Sequence, residues 1–152
     1  MQQSEQTYEQ EVNDHIASVR ANILKIIHLL YDRGDTHDAS KLQSPEREVF
    51  QEQQHRLKEV EFASPEYKAL LESVRPAIDH HYSKNRHHPQ HWPNGINDMD
   101  LVDIIEMLAD WAAATKRNKN GNIHKSLEFN SDHFRITPQL KQILLNTINR
   151  YF

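Results

Sequence analysis

Only three glycines, at positions 34, 95 and 121, occur in 152 residues, which leaves little room for tight β-hairpin turns. No segment alternates apolar and polar residues in the manner of a half-buried strand. Apolar residues recur instead at intervals of three and four, the helical signature. The chain therefore reads as all-α. It has the length of one ordinary domain, taken as one compact unit over residues 1–152 with about five to six helices.

The first helix is expected from about Ser4 to Asp32, with the stripe Val12, Ile16, Val19, Ile23, Ile26, Ile27 and Leu30 facing a core. Gly34 suits the left-handed turn that ends a helix. The polar run Asp35 to Lys41 fits at most a short helical turn. Ser44-Pro45-Glu46 and Ser64-Pro65-Glu66 are both helix starts, a capping serine followed by proline and an acid. The first leads into Val49, Phe50, Leu57 and Val60. The second leads through Leu70, Val74 and Ile78 to His81, with Pro76 marking a kink or break. Lys84 to Asn97 reads as a loop. The strongest helical pattern, Asp98 to Lys116, carries Leu101, Ile104, Ile105, Leu108 and Trp111. Asn118 to Ser131 is polar and reads as loop, and Thr137-Pro138 opens a last helix with Leu140, Ile143, Leu144 and Ile148.

Several chemistries are excluded by composition. There are no cysteines, so any metal must sit among nitrogen and oxygen ligands. Three scattered glycines cannot build a P-loop, a nucleophile elbow or a dinucleotide-binding loop. The net charge of −4 argues against a protein that coats nucleic acid. No run is apolar enough to cross a bilayer and the polar N-terminus is no signal peptide, so a cytoplasmic protein is expected.

Histidine is the outlier: eleven residues, five of them between Asp79 and Trp92. Imidazole is the commonest metal ligand and a proton carrier near neutral pH. The adjacent pair His37-Asp38 is weak evidence alone, because a helix cap would look the same. Its companions add weight. His15 lies on the first helix beside Val12, Ile16 and Val19, at the inward face or its edge. Asp110 lies inside the most apolar helix, where a carboxylate is costly unless paired. Glu106 is one turn earlier on the same face. His81 continues the stripe of Val74 and Ile78, so it points inward more readily than His80.

The order His, His-Asp, then a distant Asp in an all-helical chain resembles the HD phosphohydrolase superfamily. That resemblance implies a compact HD-type domain in which His15, His37, Asp38 and Asp110 hold a divalent metal. The run His37-Asp38-Ala39-Ser40-Lys41 matches the HD-x-x-K form, which places Lys41 near the substrate. Some members add two histidines for a second metal bridged by the HD aspartate. His81 and His88 are the candidates here, at a shorter spacing than most two-metal members show. By the same analogy Glu46 would be a general acid, although a charge placed to suit the helix N-terminus is the plainer reading. The runs HDASK, NRHHPQHW, DMDLVDIIEMLADWAAA and SLEFNSDHFRI also resemble, over nearly the whole chain, a family of short phage and bacterial proteins of unknown function, of the DUF5662 type.

Nitrogen and oxygen ligands suit Mn, Fe, Co, Ni, Zn or Mg. The expected activity is hydrolysis of a nucleotide or related small phosphate ester by metal-activated water. Lys84, Arg86 and Arg135 are candidate phosphate contacts, His87 a substrate contact in the histidine loop, and Trp92 a surface for stacking on a base. Two alternatives stand beside this: a di-iron HD-type oxygenase, and a non-catalytic, metal-stabilised phage protein that binds a host partner in the host cytoplasm. The HD analogy also implies a homodimer, with the helix ending in Tyr151-Phe152 as a packing surface.

Overall fold

The computed structural model describes residues 7–60, 64–117 and 120–152, the side chains of 54–58 excepted. Among these residues every regular element is helical. Seven α-helices are present rather than five or six: α1 (Tyr8–Thr36), α2 (Glu46–Glu59), α3 (Pro65–Ser73), α4 (Arg75–Lys84), α5 (Leu101–Thr115), α6 (Ile123–His133) and α7 (Pro138–Tyr151). No helix of the described residues is long and apolar enough to cross a membrane. The chain divides after Thr36 into two units, the first ending with α1 and the second running from His37 to Phe152.

Within the first unit, α1 is longer at its C-terminal end than its sequence suggests; the expected start at Ser4 lies outside the described residues. Gly34 does not end the helix. It continues to Thr36, and the left-handed residue that redirects the chain is Asp38, at φ 56°. Asparagine and aspartate tolerate that conformation better than other L-residues, because their short side chains bond locally. The apolar stripe of α1, expected to face a core, is exposed, and no residue of the helix is buried.

In the second unit, α5, α6 and α7 enclose the core: Ile104, Met107 and Leu108 meet Leu127, Ile136, Leu144 and Ile148. Trp111 and Phe134 pack against it, their rings stacked at 6.4 Å. Two of the three proline-marked starts behave as expected, with Pro65 and Pro138 as the first residues of α3 and α7, whereas Pro45, expected at the first helical position, lies in a turn before α2. The Ser64 side chain accepts from the Tyr67 N–H at 3.1 Å, and Thr137 caps α7. Helix α2 begins directly after Pro45; Leu57 lies among the side chains not described. The break expected near Pro76 falls at Val74, separating α3 from α4. The histidine loop is ordered into two 3₁₀ turns, Pro89–His91 and Gly95–Asp98.

The segment read as polar loop before Ser131 is helical as α6, and it contributes Leu127, the most deeply buried core side chain. Its helix exposes a wide polar face and buries a narrow one, so one leucine and one serine carry all of its full burial. A stripe that narrow is invisible to an apolar count. Past the end of α6 the chain turns at Arg135, φ 53°, where the Ile136 N–H reaches the Ser131 carbonyl at 2.9 Å and the Arg135 N–H that of Asp132 at 3.4 Å. This is a Schellman closure with arginine where glycine is usual.

Candidate metal centre

Four segments of the second unit converge on one cluster. The turn before the 3₁₀ helix Ala39–Leu42 carries His37 and Asp38, α4 carries His80 and His81, the loop after it carries His87 and His88, and α5 carries Glu106 and Asp110. On α5, Asp103, Glu106 and Asp110 follow at helical spacing, an acidic line flanking the apolar face that packs on α6 and α7.

The imidazoles are held from behind by buried carboxylates. Glu46, fully buried, accepts from His81 Nδ1–H at 2.8 Å with Oε2 and from His80 Nδ1–H at 2.7 Å with Oε1; the Ser40 hydroxyl also donates to Oε2, at 2.9 Å. Glu106 Oε1 accepts from His37 Nδ1–H at 2.8 Å and from His87 Nδ1–H at 3.1 Å. A carboxylate on Nδ1 fixes the ring's tautomer and turns Nε2 outward as a lone-pair donor.

Those Nε2 atoms meet. His81 Nε2 lies 2.9 Å from His88 Nε2 and 3.3 Å from Asp38 Oδ1, while His87 Nε2 is 3.5 Å from the same oxygen. His37 Nε2 lies 3.6 Å from Asp38 Oδ2 and 3.5 Å from Asp110 Oδ1. Two donor sets result, each with its ligand atoms within 4.8 Å of one another: Asp38, His81, His87 and His88, and beside them His37, His87 and Asp110. Asp38 Oδ1 and His87 Nε2 are buried without a hydrogen bond. Such orphaned atoms are costly in a dry interior, and a cation between them removes the cost. The donor set fits a divalent ion that accepts nitrogen and oxygen ligands.

His37 is pushed up to about 10, first by its contact with Asp110 and then by Glu106. Burial opposes ionisation of Asp38, but His81 and the Lys41 ammonium, 2.6 Å from Oδ2, hold its carboxyl far below the usual range. Asp110 is lowered too: burial opposes it, and His37 and His87 outweigh burial. Burial, then the charges of His87 and His81, push His88 down to about 3, leaving it neutral. The floor of the cluster is closed, and it opens beside Lys41, His37 and Asp110, whose side chains are 39%, 28% and 24% exposed.

Thus His37, Asp38, Asp110, His81 and His88, five of the side chains expected to hold metal, come together. His87, expected to touch substrate, stands among them as a donor. His15 is exposed on α1, in the first unit, and belongs to neither donor set. Glu46, expected as a general acid, has both oxygens engaged in orienting histidines. Lys41 lies at the cluster and Lys84 is exposed at the end of α4. Arg86, expected at a phosphate, donates to both oxygens of buried Asp103 at 3.1 Å and to Asp100 at 3.3 Å. Its guanidinium lies 4.6 Å from the Trp92 ring, and Trp92 Nε1–H donates to the Arg86 carbonyl at 2.9 Å. Arg86 thus lies over the ring of Trp92, the side chain expected to stack on a base. Arg135 forms the turn after α6.

Fold and cluster together define an all-helical protein with a histidine–aspartate site able to hold metal. The chain belongs to the family of unknown function DUF5662, whose model matches residues 4–150. No curated protein and no solved structure matches it.

Proposed function

We propose that the protein is a metal-dependent phosphohydrolase acting on a nucleotide or a related small phosphate ester. The observation that carries this reading is the convergence of imidazole Nε2 atoms on Asp38 and Asp110, with the opposite ring nitrogens of His37, His81 and His87 held by buried glutamates. The order of these residues along the chain, and the Lys41 of the HD-x-x-K run, support it by analogy to the HD superfamily. A divalent ion in this site would supply a water of lowered pKa and polarise a phosphoryl oxygen. The protein's own part is positional. Glu46 and Glu106 keep the histidines in the ligating tautomer, and Lys41, at the open side, offers an ammonium to a phosphoryl oxygen once it leaves Asp38. Phosphate or pyrophosphate release from a nucleotide panel with Mn, Co or Mg, lost in Asp38→Ala, tests the reading. A wild type that holds metal yet turns over nothing sinks it.

A second reading, a di-iron oxygenase, draws on one specific observation: Asp38 faces the His81–His88 side with Oδ1 and the His37 side with Oδ2, as a carboxylate shared by two metals would. Two irons per chain and oxygen consumption would favour it over hydrolysis. A metal-stabilised binding protein is the third outcome, read as metal bound with neither activity.

A further inference from the structure

The two donor sets of the metal centre are not equally ready for a cation. In the set of Asp38, His81, His87 and His88, the atoms Asp38 Oδ1 and His87 Nε2 are buried with no hydrogen bond. The other carboxylate oxygen of Asp38 is taken. The Lys41 ammonium sits 2.6 Å from Oδ2, with the Phe50 ring centre 5.8 Å away. Oδ2 is also the oxygen that faces the second set, 3.6 Å from His37 Nε2.

The two sets overlap. Both include His87, whose Nδ1–H is given to Glu106, so Nε2 is the nitrogen left for either. That nitrogen has one lone pair and serves one cation. Two ions this close are held by an anion shared between them. Asp38 is placed to be that anion, with Oδ1 3.3 Å from His81 and Oδ2 toward His37. An ammonium on Oδ2 removes the bridge and puts a positive charge where a second divalent cation would come. A single ion meets no such obstacle, because Oδ1 is free of hydrogen bonds. Lysine is suited to leave: its charge is a point on a flexible stem, and an oxyanion accepts from it as a carboxylate does.

We propose that Lys41 couples the metal count to an anion: with its ammonium on Asp38 the centre takes one divalent ion, and an oxyanion of the phosphate class that draws the ammonium away admits a second, shared among His37, Asp110 and Asp38. This rests on reading the cluster as a metal centre with Lys41 as its phosphate contact. By linkage, the second ion and the oxyanion favour each other's binding by the same factor.

Equilibrium dialysis of the full chain against Mn, followed by elemental analysis, counts the ions. Methylphosphonate is the probe, a phosphate-like dianion whose carbon–phosphorus bond water does not break, so the count is read without turnover. One ion per wild-type chain is expected without it and two with it, the pair marked by spin coupling in electron paramagnetic resonance. Lys41→Met should take two ions in both conditions; if it does not fold, the wild-type comparison decides. A wild type that takes two ions unaided, a count that methylphosphonate leaves unchanged, or a folded Lys41→Met that takes one overturns the coupling and leaves hydrolysis standing. The expected counts without turnover of any nucleotide would sink hydrolysis and keep the coupling. A wild type that takes no ion overturns both.

Discussion

A glutamate behind a histidine does two things at once: it selects the tautomer and it aims the ring. Glu106 does so for His37 and His87 together, through one oxygen. Glu106→Gln keeps the shape but weakens the acceptor, so metal affinity should fall about 10- to 100-fold while the fold persists. Competition with a chromophoric chelator would measure it, and unchanged affinity would show that Glu106 does not orient the ligands. His37 makes a second prediction. Its pKa rises from 6.5 free to about 10 in the metal-free fold. The protonated ring thus favours that fold, a contribution complete below pH 6.5 and lost as pH rises through about 10. A metal must displace this proton, so apparent affinity should climb by about tenfold per pH unit between neutrality and pH 9. Titrations across that range check it; a flat profile would mean that His37 is not a ligand.

At the scale of elements, legibility follows periodicity. The Ser64 and Thr137 starts are readable because capping is local chemistry, and α5 because its apolar stripe is wide. Asp110 and Glu106 are readable as carboxylates stranded in that stripe. The place of His87 among the donors is not, because a loop has no period to say which way its histidines turn. What Arg86 and Glu46 touch is not readable either, because only the fold brings Asp103 to the one and His80 and His81 to the other. Arg135 shows the same limit at a helix end. It sits in the left-handed region that favours glycine. Arg135→Gly should therefore leave any activity alone and stabilise the fold by about 0.5–1 kcal/mol. A rise in the denaturant midpoint at constant slope would show it, and a fall would mean that the arginine side chain contributes more than its backbone costs.

At the scale of the molecule, the second unit assembles its cluster from four segments spread between His37 and Asp110, tied to a core on α5, α6 and α7. Those side chains collect charge and unpaired donors in a poorly solvated place, which a bound cation would relieve. Metal that binds the folded chain alone must then raise the unfolding temperature, by the equivalent of about 2.7 kcal/mol when free metal exceeds Kd a hundredfold. The most direct test is the metal content of the purified protein beside that of Asp38→Ala, read by elemental analysis after reloading with divalent ions. At least one tightly held ion per wild-type chain, with none in the variant, is the predicted result. A wild type that retains no ion after reloading, or a variant that retains as many, would contradict the account.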